Sequence, residues 1–350
     1  MFIKNTWYVA ASSDEVNDKP LGRKICNERM VFFRNAENEV AALEDFCPHR
    51  GAPLSLGFTK DGNVVCGYHG LAVDCKGHAA AMTGQNTAQF PKVKSYPAVE
   101  RYGFIWVWPG EAQKADESKI PVMHWYNNPE WAYGGGMYHI NCNYLLMIDN
   151  LMDLTHETYV HASSIGQAEI EEEPVKTTFD EYTVCTSRHM TNIKAPPFWQ
   201  QALIAQGLPA DELVDRWQVC KFSLPTHVMI DVGVAVAGKG GYEADQQFKA
   251  ASTVVDFITP ESETSMWYFW GMARKFKPND AQVTDQIRQG QGGIFGEDLQ
   301  MLERQQSNLL HWPQRRLMKL NIDAGGVHSR RIIERAVSYT HLTLPTILRV

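Results

Sequence analysis

The chain has 350 residues, 44% of them hydrophobic and 21% charged, with 10 Trp, 13 Tyr and 15 Phe; this excludes a stapled mini-protein and a disordered chain and suits about two globular domains. Against 40 acidic residues stand 33 basic ones, a formal net charge of −7, which argues against a nucleic-acid partner held by clustered Lys and Arg. The cysteines number seven, odd and scattered, as expected in a reducing compartment where thiols are core residues or metal ligands.

The first residues, MFIKNTWYVAASSDEV, lack a basic segment followed by an apolar stretch, and nowhere do 18 apolar residues run together. A cytoplasmic protein without a membrane span is expected. From Trp7 to about Pro109, short β-type runs (Met30 to Arg34, Val40 to Phe46, Asn63 to Cys66, Phe104 to Trp108) alternate with Gly, Pro and Asn turns. That predicts a small all-β domain over 1–110. Residues 111–121, within the polar stretch Pro109 to Pro121, read as a linker. Beyond it, Asn143 to Val160 has a helical apolar period, and Thr253 to Ala273 reads as two strands joined by a turn at Pro260 to Glu263. A long helix is expected between Asp280 and Leu310, interrupted at Gly290 to Gly293. Residues 122–337 are thus an α+β domain, an antiparallel sheet with helices on one side. Residues 338–350 share neither the charge balance nor the helical period of what precedes them and read as a non-native tail.

Two clusters carry metal chemistry. CPHRG at Cys47 to Gly51 and CGYHG at Cys66 to Gly70 each offer one thiolate and one imidazole on a loop closed by glycine. Zinc spacings usually group the cysteines together and the histidines together. A Rieske [2Fe–2S] cluster instead needs thiolates on one iron and imidazoles on the other, so Cys47, His49, Cys66 and His69 are the expected cluster ligands. Pro53 and the loop glycines are expected to pack around them. Cys75, six residues past His69, reads as a small buried hydrophobe. The neutral imidazoles lift the potential to roughly −150 to +300 mV, against about −400 mV for all-cysteine plant-type clusters.

MIDNLMDLTHETYVH, Met147 to His161, places His156 and His161 five residues apart. On a regular helix they would lie ~140° apart, so the helix must end between them or carry a π-type bulge if both are to hold one ion. Two histidines and one carboxylate with open positions form the facial triad of non-haem Fe(II) oxygenases. Glu297 and Asp298 are both candidates for the carboxylate, and spacing alone does not choose. Asp153, three residues before His156, can accept the proton of that ring's second nitrogen.

These motifs, with NTWYVA, ERYGFIWVWPG, WAYGGG, APPFW, VDFITPE, WYFWGMAR and EDLQMLERQQ, resemble the Rieske non-haem iron oxygenases that demethylate aromatic methyl ethers such as vanillate. The resemblance extends to about Ala336. It implies an N-terminal Rieske domain and a C-terminal helix-grip catalytic domain, with mononuclear Fe(II) held by His156, His161 and Asp298. It also implies Asn150 close to the iron, and Asp153 linking a cluster histidine of one subunit to an iron-bound histidine of the next in a homotrimer. The expected partners are O₂, a methoxylated aromatic acid (vanillate, or else veratrate or syringate) and a separate NAD(P)H-dependent flavin/ferredoxin-type reductase, since no dinucleotide fingerprint is present. A Rieske ferredoxin would need only about the first 110 residues. A ring-hydroxylating dioxygenase α subunit shares the metal motifs and differs in its product. Trp267, Tyr268, Phe269 and Trp270 are expected near the substrate, with Arg188, His189, His227 and Lys221 as possible carboxylate donors.

Overall fold

The computed structural model describes residues 1–171 and 173–342. It divides into two compact units, residues 1–123 with 259–262 and 337–342, and residues 124–258 with 263–336. The first unit holds eleven short strands, β1 (Tyr8–Ser12), β2 (Leu21–Ile25), β3 (Glu28–Arg34), β4 (Val40–Glu44), β5 (Phe58–Lys60), β6 (Asn63–Val65), β7 (Ala72–Val73), β8 (Ala79–Ala81), β9 (Ser95–Tyr96), β10 (Ala98–Arg101) and β11 (Phe104–Val107). They form three antiparallel sheets, in the orders β1-β11-β10, β2-β3-β4-β9 and β5-β6-β7-β8. Val31, Phe33 and Leu43 from the second sheet and Val64 and Val73 from the third share one core with Leu71, Cys47 and Cys66. The two loops that carry the expected cluster ligands are therefore set in the core by apolar packing.

The expected linker is tied down. Trp7 Nε1 donates to Asp116 O at 2.8 Å, Trp108 Nε1 donates to Glu111 O at 3.1 Å, and Ile120 is buried. Buried indoles need acceptors, and these carbonyls supply them. The division between the units falls after Met123.

The second unit is built on seven strands, β12 (Ala132–Ile140), β13 (Lys176–Phe179), β14 (Thr183–Lys194), β15 (Leu213–Ser223), β16 (His227–Val236), β17 (Lys249–Ser262) and β18 (Ser265–Arg274), in the order β12-β18-β17-β16-β15-β14-β13. The helices are α1 (Tyr144–Leu151), α2 (Glu157–Val160), α3 (Pro197–Gln206), α4 (Ala281–His311) and α5 (Ala324–Leu342). Three expectations change. The turn between β17 and β18 falls after Ser262, so Pro260 lies within β17. The helix expected over Asn143 to Val160 breaks after Leu151. The glycines of Gly290 to Gly293 do not interrupt α4, which runs unbroken from its N-cap Asp280, whose side chain accepts from Val283 N.

Close approach explains that last difference. A Cβ at Gly292 would lie 3.1 Å from the Trp270 ring, and one at Gly136, on β12, 2.7 Å from the same indole. Tyr138 hydroxyl donates to Gly292 O at 2.8 Å. Each helical glycine costs about 1 kcal/mol against alanine, and packing of α4 against Trp270 decides the outcome. At the other end, α5 runs through Val337 to Leu342, five residues into the expected tail, whose remaining residues 343–350 lie outside those described.

Two candidate metal centres

In the first unit, the two ligand loops have the same backbone. Cys47 N donates to Ala52 O and Gly51 N returns to Cys47 O, both at 2.8 Å; Cys66 N donates to Leu71 O at 2.8 Å and Gly70 N to Cys66 O at 3.0 Å. Gly51 and Gly70 each have φ of 73°, the left-handed turn that glycine adopts without strain. Asp45 pins the neighbouring segment, its carboxylate accepting from Ser55 N at 2.7 Å and Ser55 Oγ at 2.6 Å. Pro53 starts the short turn that follows, and Cys75 packs against the same core as a partly buried hydrophobe.

Cys47 and Cys66 are both buried. Burial pushes the Cys47 thiol up, and the adjacent Cys66 adds to the rise. Two thiolates side by side in an apolar core need a cation, which a metal centre supplies. The imidazoles lie on the other side of the chemistry: His49 and His69 are exposed and meet edge to face with centroids 4.6 Å apart. An inner sulfur pair and an outer nitrogen pair fit the two unlike irons of a Rieske cluster.

In the second unit, the helix expected over both histidines is replaced by a single turn, α2, with His156 as its N-cap and His161 as its C-cap, where the backbone leaves the helix at φ −107° and ψ 27°; no bulge is required. His156 Nε2 lies 3.7 Å from Asp298 Oδ1 and His161 Nε2 3.4 Å from the same oxygen. Ligand atoms of the three residues all lie within 4.8 Å of one another. Asn150 Nδ2 donates to Asp298 Oδ1 at 2.9 Å, fixing that carboxylate. Of the two acids that spacing left open, Asp298 faces both Nε2 atoms, while Glu297 Oε2 meets His161 Nδ1 at 2.6 Å. Burial would lower the His161 pKa, but Asp298 and Glu297 outweigh it and raise it to about 8. A buried imidazole between two carboxylates is a site made for positive charge, and two histidines with one carboxylate fit Fe(II).

Asp153 differs from expectation. Its Oδ2 is 3.8 Å from His156 Nδ1, beyond hydrogen-bond range, and its Oδ1 accepts from Thr155 N at 2.7 Å and Thr155 Oγ1 at 2.6 Å. A turn-forming carboxylate serves its own backbone first, and His156 Nδ1 is buried with no hydrogen bond.

A narrow cavity of about 90 Å³ opens at the triad. Asn150, His156, His161 and Asp298 line one end, and Phe198, Trp199 and Phe295 supply its aromatic walls. Trp270 stands behind Phe295 at a centroid distance of 5.5 Å, and Tyr268 donates to the buried Asp256 at 2.6 Å. Neither these two nor Trp267 and Phe269 line the cavity. The proposed carboxylate donors are elsewhere as well. Arg188 is buried and donates to Leu154 O at 2.6 Å, His227 is buried against Phe257, His189 stands by Tyr242, and Lys221 is exposed. Sequence reasoning missed Phe198 and Trp199 as walls because they sit on α3, whose APPFW start carries no chemistry of its own.

It also missed the polar floor. Arg216 and Gln218, on the inner face of β15, line the cavity and both donate to the buried Glu157, Arg216 Nη2 at 3.2 Å from Glu157 Oε2. Glu157 directly follows His156, so this network anchors the turn that carries both histidines. Glu157→Ala should leave a buried guanidinium unpaired and lower unfolding stability by about 3–5 kcal/mol; denaturant titration reads this, and a loss under about 1 kcal/mol would show the pair to be dispensable.

Both candidate centres lie within segments that match known domains. Residues 6–97 match the Rieske [2Fe–2S] domain, and residues 140–338 match the vanillate O-demethylase oxygenase C-terminal domain. The chain is 64% identical over 338 residues to a vanillate O-demethylase oxygenase subunit of Pseudomonas sp. (strain HR199), covering 97% of this chain and 96% of that one. It is 34% identical to the oxygenase component of dicamba O-demethylase of Stenotrophomonas maltophilia, covering 86% and 87%. The crystal structure of dicamba monooxygenase bound to 3,6-dichlorosalicylic acid superposes with a TM-score of 0.89 at 31% identity, over 97% of this chain and 99% of that one.

Proposed function

Because this chain belongs to the Rieske non-haem iron oxygenases, in the family of the vanillate O-demethylase oxygenase subunits, we propose that it is the oxygenase component that O-demethylates a methoxylated aromatic acid, vanillate before veratrate or syringate. The observation that carries the reading is the His156, His161 and Asp298 cluster at one end of an aromatic-walled cavity, in a chain that also holds a Rieske domain.

Cys47, His49, Cys66 and His69 would hold the [2Fe–2S] cluster, and His156, His161 and Asp298 the mononuclear iron. With both in place, the cluster would supply electrons singly and the iron would supply O₂ activation. The chain's own residues do the rest. Asn150 keeps the Asp298 carboxylate turned toward both imidazoles. Phe198, Trp199 and Phe295 bracket an aromatic ring and exclude water. Hydroxylation of the methoxy carbon gives a hemiacetal that collapses to the phenol and formaldehyde. Overall, the methyl ether, O₂, two electrons and two protons become phenol, formaldehyde and water.

The electrons come from a separate reductase, which we assign to the NAD(P)H-dependent flavin/ferredoxin type. We further propose a homotrimer in which Asp153 relays electrons across a subunit boundary to His156. In support, His156 Nδ1 makes no hydrogen bond among the described residues, and exposed Phe46 and Tyr68 accompany the exposed His49 and His69. All seven cysteines are unpaired and, among the described residues, no helix is long and apolar enough to cross a membrane. We place the protein in the cytoplasm on the cysteines.

A formaldehyde-release screen across methoxybenzoates, with reductase supplied, tests the reading. Release is expected from 4-hydroxy-3-methoxybenzoate above all; a cis-diol that retains its methoxy group would assign the chain to the ring-hydroxylating dioxygenases instead.

A further inference from the structure

We infer that Glu297 is the positioning residue of the mononuclear site, locking His161 in one tautomer and so setting how firmly the iron is held. The inference rests on assigning an iron to His156, His161 and Asp298. Glu297 and Asp298 are successive residues of α4, and successive side chains on a helix diverge by about 100°. The His161 ring enters that divergence, with Nδ1 at 2.6 Å from Glu297 Oε2 and Nε2 at 3.4 Å from Asp298 Oδ1. A carboxylate only accepts, so the 2.6 Å contact keeps a ring proton on Nδ1, and a metal at the triad would then displace any proton from Nε2 alone.

Glu297 is itself held. Ser164 Oγ donates to the same Oε2 at 3.0 Å. The turn that delivers Ser164 closes tightly, because Gly166 N donates to His161 O at 2.8 Å and a Cβ at Gly166 would lie 2.5 Å from Glu157 O. His161 is 2% exposed, so neither ring nitrogen has water as an alternative partner.

His156 is treated differently, with its Nδ1 buried, unpartnered and 3.8 Å from Asp153. One imidazole is thus fixed by its own chain and the other is not. A carboxylate behind a metal-bound imidazole orients the ring and strengthens it as a donor, so Glu297 is what keeps the triad assembled while His156 adjusts.

The test challenges purified oxygenase with a ferrous chelator and follows loss of the mononuclear iron beside the visible absorption of the cluster and the unfolding temperature. Glu297→Ala should lose that iron about 10–100-fold faster than the parent protein, the scale seen when such outer partners are removed. Glu297→Gln keeps an acceptor oxygen for Nδ1–H and should fall between the two. Ser164→Ala, a smaller change, should shift the rate in the same direction, and it carries the test if Glu297→Ala does not fold. Cluster absorption and unfolding temperature should stay as in the parent. Parental iron retention in Glu297→Ala, or iron loss only in step with cluster absorption, would overturn the role. Asp298→Ala run in parallel keeps the two ideas apart: parental retention there sinks the iron site itself, whereas loss there with retention in Glu297→Ala sinks only the positioning role.

Discussion

Asp298→Ala is expected to leave the Rieske absorption intact while abolishing mononuclear iron binding and sharply lowering turnover. Asp298 is the sole carboxylate that faces both Nε2 atoms among the described residues, at 3.7 Å and 3.4 Å, and it is nearly inaccessible to water. Removing it leaves two neutral imidazoles and no anionic ligand, and neither water nor Asn150 replaces the lost charge. Glu297 cannot swing in without giving up His161 Nδ1 and Ser164. The several kcal/mol that a bound metal contributes correspond to a rate loss on the order of 10³-fold. Iron analysis beside the visible spectrum checks this, and full iron occupancy in the variant would refute the ligand assignment.

Asp153→Asn is expected to keep both metals and lose electron delivery. Asn retains an oxygen to accept from Thr155 N and Thr155 Oγ1, so the turn should persist. What it loses is the negative charge beside His156 Nδ1. On the proposed assembly that charge bridges an imidazole of the neighbouring cluster to His156, and removal of such an outer partner costs about 10–100-fold. Reoxidation of the reduced cluster in the presence of substrate and O₂ should slow by that factor while iron content and cluster absorption are unchanged. A parental reoxidation rate would rule out the bridge.

The ligand loops were legible because cluster chemistry leaves few spacings open: one thiolate and one imidazole per loop, closed by a glycine that the structure shows at φ of 73°. That His156 and His161 cannot both sit within one regular helix was legible as a geometric necessity, though not that the single turn α2 would lie between them with one histidine at each cap. Glu297 and Asp298 could not be told apart, since they are neighbours on one helix and their roles depend on which nitrogen of His161 each meets. Glu157, Arg216 and Gln218 stayed hidden because a buried ion pair joins α2 to β15 across 59 residues of sequence, and nothing local marks either end.

The glycines of α4 misled for the opposite reason. Local propensity argues for a break at Gly290 to Gly293, but the approach of Gly292 to Trp270 turns the same residue into a packing requirement. In β18 the alternation of faces sorts the aromatic run. Tyr268 turns to Asp256 and Trp270 to Phe295, while Trp267 meets His139, so a dense aromatic stretch lies near the cavity without forming its wall.

The central claim is that the triad and the cavity together direct oxygen to a methoxy carbon. It is tested most directly by supplying the oxygenase with a reductase, O₂ and 4-hydroxy-3-methoxybenzoate labelled in the methyl carbon, then locating the label. Labelled formaldehyde and unlabelled dihydroxybenzoate are expected, one of each per O₂ consumed; label retained on a ring-hydroxylated product would rule out demethylation.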